Sequence, residues 1–323
     1  MNEKTYKSFN KFRKTGFRNK MLKIFAYNAG KGDCIRLNFD RVHNVFIDTG
    51  VTRFASRLKE LCYEIRDAGQ SFDILILTHV DEDHIGGLLS LLRMGWQCPF
   101  REVRMNHTGV KGAGNTCLST QQNDEVYNSL TEQGIAVLPL LAGTGLHIGR
   151  AIIQVIWPDK IVKETGHINI PLAWKKDYGF SFTELAGAYI AKTDRSINNK
   201  NSVVLVFEYE GHKLLFLGDA WAEDIITALG KGLQHFDMVK LSHHGAVGNI
   251  SEEFKNHICC DNYLICTDGI MHPDKQTIAK LIDWYGKITV FSPSDWWSKD
   301  FFTEKDNREA VRLLHRDGLI LEW

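Results

Sequence analysis

The sequence of 323 residues has no long hydrophobic run and no net charge. No stretch approaches the roughly eighteen consecutive apolar residues of a membrane-spanning helix, so we expect no membrane span. The first residues lack the apolar core of a secretory signal, which is consistent with a cytoplasmic protein. Because 39 basic residues balance 39 acidic ones, no overall field draws the chain to a nucleic acid or to a membrane surface.

Cysteine is present but forms no recognisable pattern. The seven cysteines are odd in number, and none of their spacings matches a zinc-binding motif. The adjacent pair Cys259 and Cys260 is a poor candidate for a disulfide. We therefore expect reduced, partly buried thiols, as in a cytosolic protein. The sequence also contains no internal repeat and no low-complexity tract.

The charge is distributed unevenly along the chain. Residues 1–20 contain seven Lys or Arg, interleaved with three phenylalanines, against the single acidic residue Glu3. Such a segment could contact a phosphate backbone. It could equally be a solvated extension or a consequence of the start site, since Met21 opens the first predicted strand. We assign residues 1–20 as a basic extension and residues 21–323 as a single domain.

Hydrophobic periodicity predicts an α/β domain. Hairpin-like strands come first, and strands alternate with amphipathic helices later, which predicts two sheets with helices outside. The predicted strands are 22–27, 34–39, 44–47, 74–77, 135–139, 151–157, 202–209, 212–218, 236–241, 262–267 and 287–291. The predicted helices are 52–68, one from residue 85, 120–133, 221–230, 273–285 and 304–316. Residues 106–120 and 159–200 are the least regular, and we interpret them as insertions that form lids or substrate walls.

One short segment carries four potential metal ligands. His79, Asp81, Asp83 and His84 follow the apolar run Ile74–Leu77. A buried strand that ends in this way places the side chains at the edge of a sheet, where they can converge. Capping of the following helix would need only one of the carboxylates. We therefore favour a metal site over a simple capped loop.

Two further strands end in residues of the same kind. One apolar run ends in Gly218 and Asp219, and another ends in His243 and His244. Taken singly, each has a simpler explanation, a capping carboxylate or an exposed histidine pair. Together, three strand ends deliver imidazoles and carboxylates, a combination that suits a pair of divalent transition-metal ions. Two neighbouring ions can generate hydroxide and stabilise a developing oxyanion, so the expected chemistry is hydrolysis.

These ordered motifs resemble those of the metallo-β-lactamase superfamily, whose fold is a four-layer αβ/βα sandwich with a metal site along one edge. Within the superfamily they are most similar to the hydrolase domain of the ComEC DNA-uptake proteins. The similarity runs from about residue 22 to about residue 290. It includes the Gly30–Asp33 turn, the Phe46–Gly50 segment and the asparagine-rich segment Asn198–Leu205.

Two departures from the general pattern of the superfamily sharpen this resemblance. Asp81 stands where most members have histidine, and asparagines stand where most have another histidine; the ComEC-like group shares both changes. The resemblance therefore implies a harder first metal site, which favours Mn²⁺ or Mg²⁺ over Zn²⁺. The chain has no membrane channel of the ComEC kind, so DNA uptake does not carry over, whereas the hydrolytic site does.

The resemblance also implies roles for individual residues. A first ion would bind His79, Asp81 and an amide from Asn198, Asn199 or Asn201. A second ion would bind Asp83, His84 and His243, and Asp219 would bridge the pair. Asp83 and His244 would be catalytic, with His244 facing the substrate to protonate a leaving oxygen or to hold a phosphate. Asp48 would brace the site through hydrogen bonds, and His272 would contact the substrate.

We therefore predict a metal-dependent phosphodiesterase, in the first place a nuclease that acts on DNA through a metal-activated hydroxide. An alternative is a hydrolase of a small ester, a lactone or a cyclic nucleotide. A third interpretation is a metal-stabilised module of a defence or signalling assembly. The zero net charge argues against tight binding of free DNA, and so keeps both alternatives open.

Overall fold

The structure is a computed structural model that describes residues 21–107, 118–162, 176–298 and 300–323. The predicted extension 1–20 lies outside these ranges, as do most of the predicted insertion 106–120 and part of the insertion 159–200. Among the described residues, no helix has the length and apolar character to cross a membrane. The six cysteines that the structure describes are free thiols.

The described residues form strands and helices in alternation. The strands β1 to β17 are Leu22–Ala26, Ile35–Phe39, His43–Ile47, Ile74–Leu77, Glu102–Met105, Ala136–Leu138, Gly145–Ile148, Ala151–Trp157, Val204–Tyr209, His212–Phe216, Gln234–His235, Met238–Lys240, Ile258–Cys259, Asn262–Leu264, Ile288–Ser292, Val311–His315 and Gly318–Glu322. The helices α1 to α8 are Ala55–Asp67, Glu82–Arg93, Leu118–Glu132, Phe182–Gly187, Ile197–Lys200, Ala222–Leu229, Phe254–His257 and Lys275–Tyr285.

Most of the strands belong to two large sheets. A 7-stranded sheet has the order β17-β1-β2-β3-β4-β5-β6, and an 8-stranded sheet has the order β16-β15-β14-β12-β10-β9-β8-β7. Strands β11 and β13 pair separately. In both large sheets antiparallel pairs lie toward one side and parallel pairs toward the other, as in β2 with β3 and β3 with β4.

Three apolar cores hold the layers together. Between the sheets, the rings of Phe39 and Phe207 lie 5.6 Å apart and belong to one buried cluster. Leu88 of α2 packs into a second cluster on the outer face of the 7-stranded sheet. Ile278 of α8 packs into a third cluster on the outer face of the 8-stranded sheet. The order helix, sheet, sheet, helix confirms the predicted four-layer αβ/βα sandwich.

The predicted helix at 304–316 is wrong. Arg308–Ala310 forms a short 3₁₀ turn, and the chain then continues as β16, which pairs in parallel with β15. Val311 and Leu313 pack into the outer core of the 8-stranded sheet, whereas Leu314 packs between the sheets. Side chains that alternate between two cores suit a strand, and this partnership outweighs the helical propensity of the segment.

The topology brings several loops to one edge of the sandwich. Strands β3 and β4 are parallel in the first sheet, and β10 and β12 are parallel in the second. Asp48 follows β3, His79 follows β4, Asp219 follows β10, and His243 and His244 follow β12. Because the carboxyl ends of parallel strands lie at the same edge, both sheets deliver polar residues to one cleft.

Candidate metal centre

The loop between β4 and α2 is built around its polar side chains. Asp81 precedes α2, but its side chain makes no capping hydrogen bond to the helix. Its Oδ1 instead accepts a hydrogen bond of 2.6 Å from Nδ2 of Asn198. His84 lies in the first turn of α2 and is fully buried. Helix capping therefore does not account for Asp81.

Four imidazoles converge on one carboxylate oxygen. Asp219 Oδ2 lies 3.4 Å from His84 Nε2, 3.7 Å from both His79 Nε2 and His244 Nε2, and 3.9 Å from His243 Nε2. These separations are longer than good N–H···O hydrogen bonds. They suit ligands that share an ion, because each metal–ligand bond is about 2.0–2.2 Å long.

The opposite ring nitrogens fix how the imidazoles point. Nδ1 of His84 lies 2.7 Å from Asp48 Oδ2, and Nδ1 of His244 lies 2.8 Å from the carbonyl oxygen of Cys266. A neutral imidazole that donates through Nδ1 presents a lone pair at Nε2, the arrangement of most metal-ligating histidines. Among the described residues, Nε2 of His79, His84 and His244 is buried and has no hydrogen-bond partner.

Four overlapping groups of side chains in the described part of the chain have the spacing of an ion site, and two of them do not include Asp33. One consists of His79, His84 and Asp219, and the other of Asp83, His84 and His244. Within each group the candidate ligand atoms all lie within 4.8 Å of one another. With their unpartnered nitrogens, these residues fit divalent cations better than they fit a closed hydrogen-bond network.

His243 and His244 lie in different environments. Both have left-handed backbone conformations, with φ of 47° and 54°, which are uncommon outside glycine and turn the two rings apart. His244 is buried beside Asp83, with its Nε2 3.5 Å from Asp83 Oδ2. The side chain of His243 is 29% exposed, and its Nδ1 lies 3.2 Å from Asp194 Oδ2. The sequence favoured His243 as the ligand, whereas the group that includes Asp83 and His84 contains His244 and not His243.

Three charged residues of this centre had no role assigned from the sequence. Asp33 and Lys240 form a buried ion pair, and Asp33 Oδ1 lies 3.2 Å from His244 Nδ1. Asp194 braces His243 and lies in the segment interpreted as an insertion. Two sequence signals could have identified Asp33 and Lys240: Asp33 closes a glycine-rich turn, and Lys240 is a lysine inside the apolar strand β12. Nothing in the sequence singled out Asp194.

The three asparagines named from the sequence have separate partners. Asn198 donates to Asp81, as described above, and Asn199 Nδ2 donates to Asp194 Oδ2 at 2.7 Å. Asn201 exchanges two hydrogen bonds of 2.8 Å with the backbone of Val162. Asn198 therefore contacts a candidate ligand directly, whereas Asn201 fastens a neighbouring loop.

His272 lies at the border of the same cluster. Its ring centroid is 5.0 Å from that of His243, and its Nδ1 is 3.5 Å from Asp274 Oδ2. Burial lowers the pKa of His272 and outweighs the opposing effect of Asp274. A neutral imidazole at this position can both accept and donate hydrogen bonds.

The electrostatics of the cluster favour a cation at its centre. Burial lowers the pKa of His84 and His244, but the neighbouring carboxylates outweigh it and raise both, that of His244 to about 9. Burial would raise the pKa of Asp219, yet His84 and His244 hold it well below its usual range. Burial and the nearby His84 lower the pKa of His79. Positive charge is thus concentrated around Asp219, where a metal ion would replace protons.

The family match agrees with this geometry. Residues 35–172 match the family model of the metallo-beta-lactamase superfamily. The matched segment is less than half of the chain, and it contains His79, Asp81, Asp83 and His84. The match shows that this segment is similar to the metallo-beta-lactamase superfamily, and the four-layer fold is consistent with that similarity. No curated protein shows significant sequence similarity to the chain.

Solved structures of similar arrangement cover most of the chain at low identity. The metallo-beta-lactamase fold protein YhfI from Bacillus subtilis is 11% identical, with a TM-score of 0.47 over 94% of this chain and 98% of that chain. Zn²⁺-bound PqqB from Methylobacterium extorquens is 13% identical, with a TM-score of 0.48 over 94% and 99% of the two chains. Igni18, a metallo hydrolase from Ignicoccus hospitalis, is 11% identical, with a TM-score of 0.40 over 94% and 99%.

Proposed function

We propose that the protein is a metal-dependent phosphodiesterase, and in the first place a nuclease that acts on DNA. The observation that carries the proposal is the convergence of four imidazole nitrogens on Asp219 Oδ2, with Asp81 and Asp83 beside them. The likeness of the asparagine-rich and Gly-Asp motifs to ComEC-type domains supports phosphodiesters as the substrate. When bound, divalent cations activate water and offset charge on a phosphoryl group.

The proposed ligand sets differ in hardness. His79, Asp81 and Asp219 would hold a first ion with one nitrogen and two oxygens. Asp83, His84 and His244 would hold a second ion together with Asp219. The two histidines make this second set richer in nitrogen than the first. Oxygen-rich sites suit Mn²⁺ and Mg²⁺, whereas imidazole-rich sites also suit Zn²⁺. We therefore propose two divalent ions, with Mn²⁺ as the first choice and Zn²⁺ or Mg²⁺ as alternatives.

The remaining residues would orient the ligands and meet the substrate. Asp48 holds the ring of His84 through Nδ1, so the direction of its Nε2 is fixed before any ion binds. Asp194 does the same for His243, whose partly exposed ring can hydrogen-bond to a substrate oxygen. His272 lies beside that ring and would add a second polar contact.

One observation favours the alternative of a small ester or lactone substrate. Ile270 and Met271 are exposed and immediately precede His272 at the border of the cluster. Exposed apolar side chains next to a polar site are typical of a surface that receives an apolar group. An acyl chain or a lactone ring would contact them, whereas a phosphodiester backbone would gain little from them.

The proposal is tested by metal-dependent cleavage. Purified protein is treated with a chelator, reloaded with Mn²⁺, Zn²⁺ or Mg²⁺, and incubated with plasmid DNA, single-stranded DNA, bis(p-nitrophenyl) phosphate and p-nitrophenyl acetate. We expect cleavage of the phosphodiesters to be fastest with Mn²⁺ and to disappear in Asp83→Ala. Asp283→Ala, which changes an exposed carboxylate of α8, is the matched control and should keep full activity.

Three outcomes would contradict the proposal. If wild type and Asp83→Ala cleave DNA equally with every metal, the cleavage comes from a contaminant or from another site. If only the acetate ester is hydrolysed, and this activity needs Asp83, the small-ester alternative is correct. If the protein binds no ion after reloading, as measured by elemental analysis, the non-enzymatic module is favoured.

A further inference from the structure

The turn Gly30–Asp33 packs directly against the residues of the candidate metal centre. A side chain at Gly32 would overlap the backbone carbonyl oxygen of Asp83, so the turn approaches the ligand loop at a distance that only glycine permits. The carbonyl oxygen of Asp33 accepts a hydrogen bond of 2.7 Å from the N–H of Gly50. The turn is therefore held from two sides, and its position relative to Asp83 is fixed.

Lys31 is the exposed residue of this otherwise buried turn. Its side chain is 52% exposed, and its Nζ lies 3.6 Å from Asp83 Oδ2. The same carboxylate oxygen lies 3.5 Å from His244 Nε2, so Lys31 stands at the mouth of the proposed second ion site. A glycine-lined turn that carries a cation to this point is more specific than a chance surface ion pair.

The charge balance at Asp83 changes when the site is loaded. The ion pair between Lys31 and Asp83 adds little to stability, because Lys31 is half-exposed and water screens its charge. An ion bound to Asp83 would offset the negative charge of the carboxylate. The ammonium group of Lys31 would then face the cleft as a cation without its anionic partner, and an anionic substrate group is the complement it lacks.

Arg53 extends the same positive wall. Its guanidinium lies against Gly30, where an added Cβ would be 2.9 Å from Nη2. Its side chain is 70% exposed, and Nη2 lies 3.4 Å from Asp268 Oδ2 at the edge of the cleft. Two cations on one side of the cluster suit an anion that extends beyond the reacting group.

We infer that Lys31 binds a non-bridging phosphate oxygen of the substrate, and that Arg53 contacts a further phosphate along an extended chain. The wall formed by Lys31 and Arg53 would thereby select phosphate esters over neutral esters. This inference rests on the proposed function, because it names the substrate group that this metal centre receives. Lys31 is a substrate-binding residue in this assignment and has no part in holding the ions.

The test compares Lys31→Met, Lys31→Arg and the control Lys231→Met, which removes an exposed lysine after α6. For each Mn²⁺-loaded protein we measure KM and kcat with bis(p-nitrophenyl) phosphate and with p-nitrophenyl acetate. Inorganic phosphate binding is measured by calorimetry, and metal content by elemental analysis. Lys31→Met should weaken phosphate binding and raise KM for the phosphodiester by about ten- to hundredfold, the usual effect of a lost charged hydrogen bond. Its metal content and acetate hydrolysis should not change, and Lys31→Arg should restore most of the loss.

The outcomes separate this inference from the proposed function. Equal phosphate binding in wild type and Lys31→Met overturns the inference, as does a wild type that binds no phosphate. A fall in metal content in Lys31→Met also overturns it, since Lys31 would then act by holding the ligand loop. If phosphate binds through Lys31 but no phosphodiester is cleaved, the proposed function fails while the phosphate site stands.

Discussion

Asp33 and Lys240 form an ion pair in which each side chain has only 1% of its surface exposed. Lys240 Nζ also donates a hydrogen bond of 3.0 Å to the carbonyl oxygen of Gly218, and it lies 3.8 Å from Asp219 Oδ1. Burial would raise the pKa of Asp33, but Lys240 and His244 lower it to about 2. Lys240 is therefore an internal cation beside the candidate metal centre that balances the buried carboxylates of Asp33 and Asp219.

Removal of this cation should destabilise the protein strongly. Lys240→Met removes the lysine partner of the buried Asp33 and leaves only His244 beside it, and breaking a buried pair costs about 3–5 kcal/mol. The double variant Lys240→Met, Asp33→Asn should recover much of this loss, because no buried charge is left unpaired. Urea unfolding of chelator-treated protein measures the effect without a contribution from bound ions.

A matched lysine shows what the same substitution does elsewhere. Lys23 of β1 forms a longer, partly exposed ion pair of 3.7 Å with Glu322. Lys23→Met should change the free energy of unfolding by less than about 1 kcal/mol. Equal effects of Lys23→Met and Lys240→Met would show that burial of the second pair does not matter.

Substitution of Asn198 should lower metal affinity, whereas substitution of Asn201 should lower the stability of the fold. Asn198→Ala removes the hydrogen bond that orients Asp81, and loss of such a bond to a ligand weakens metal affinity by about 10–100-fold. Asn201→Ala removes two hydrogen bonds to Val162, which should lower stability by about 1–3 kcal/mol and leave metal affinity unchanged. Metal titration and urea unfolding of both variants measure the two effects, and identical behaviour of the variants would contradict this division.

Much of the fold followed from local patterns. Apolar runs bounded by glycine or polar residues located most strands of both sheets, because buried strands have few alternatives. The carboxyl-terminal segment was mispredicted because its pairing partners are distant in the chain. Strand β16 pairs with β15, and β17 pairs with β1. Such long-range pairing overrides the helical propensity that a short window displays.

The sequence indicated which residues lie together at the candidate site, but not how each side chain is oriented there. Three strand ends supplied ligand types, and their convergence follows from parallel strands meeting at one edge. The sequence could not show that His244 is the more buried of the two histidines, because two consecutive left-handed residues set their positions. Asp194 was missed for a similar reason, since only the folded chain brings it to His243.

Asp48 should tune metal affinity without touching an ion. Its Oδ2 lies 2.7 Å from Nδ1 of His84, so Asp48→Asn removes the charge that orients this ring and makes it more basic. A loss of metal affinity of about 10–100-fold is expected. Asp73 provides a matched control outside the cluster. It is also buried, and its Oδ2 lies 3.2 Å from Nδ1 of another histidine, His43. A similar loss of metal affinity in Asp73→Asn would indicate a general effect of destabilisation.

The buried ion pair of Lys275 and Asp306 should make stability depend on pH in acid. Burial would raise the pKa of Asp306, but hydrogen bonds from Lys275 and from the backbone N–H groups of Thr303 and Phe182 lower it below its ordinary value of 3.8. A carboxylate whose pKa is lower in the folded state adds stability that is fully present above the unfolded value. That stability is lost as the pH falls from about 4 toward the folded value. The difference in unfolding free energy between wild type and Asp306→Asn should therefore stay constant from pH 7 to pH 5, because both pH values lie about one unit or more above the unfolded pKa. The difference should shrink on further acidification. Urea unfolding across this range checks it, and a difference that grew in acid would contradict the assignment.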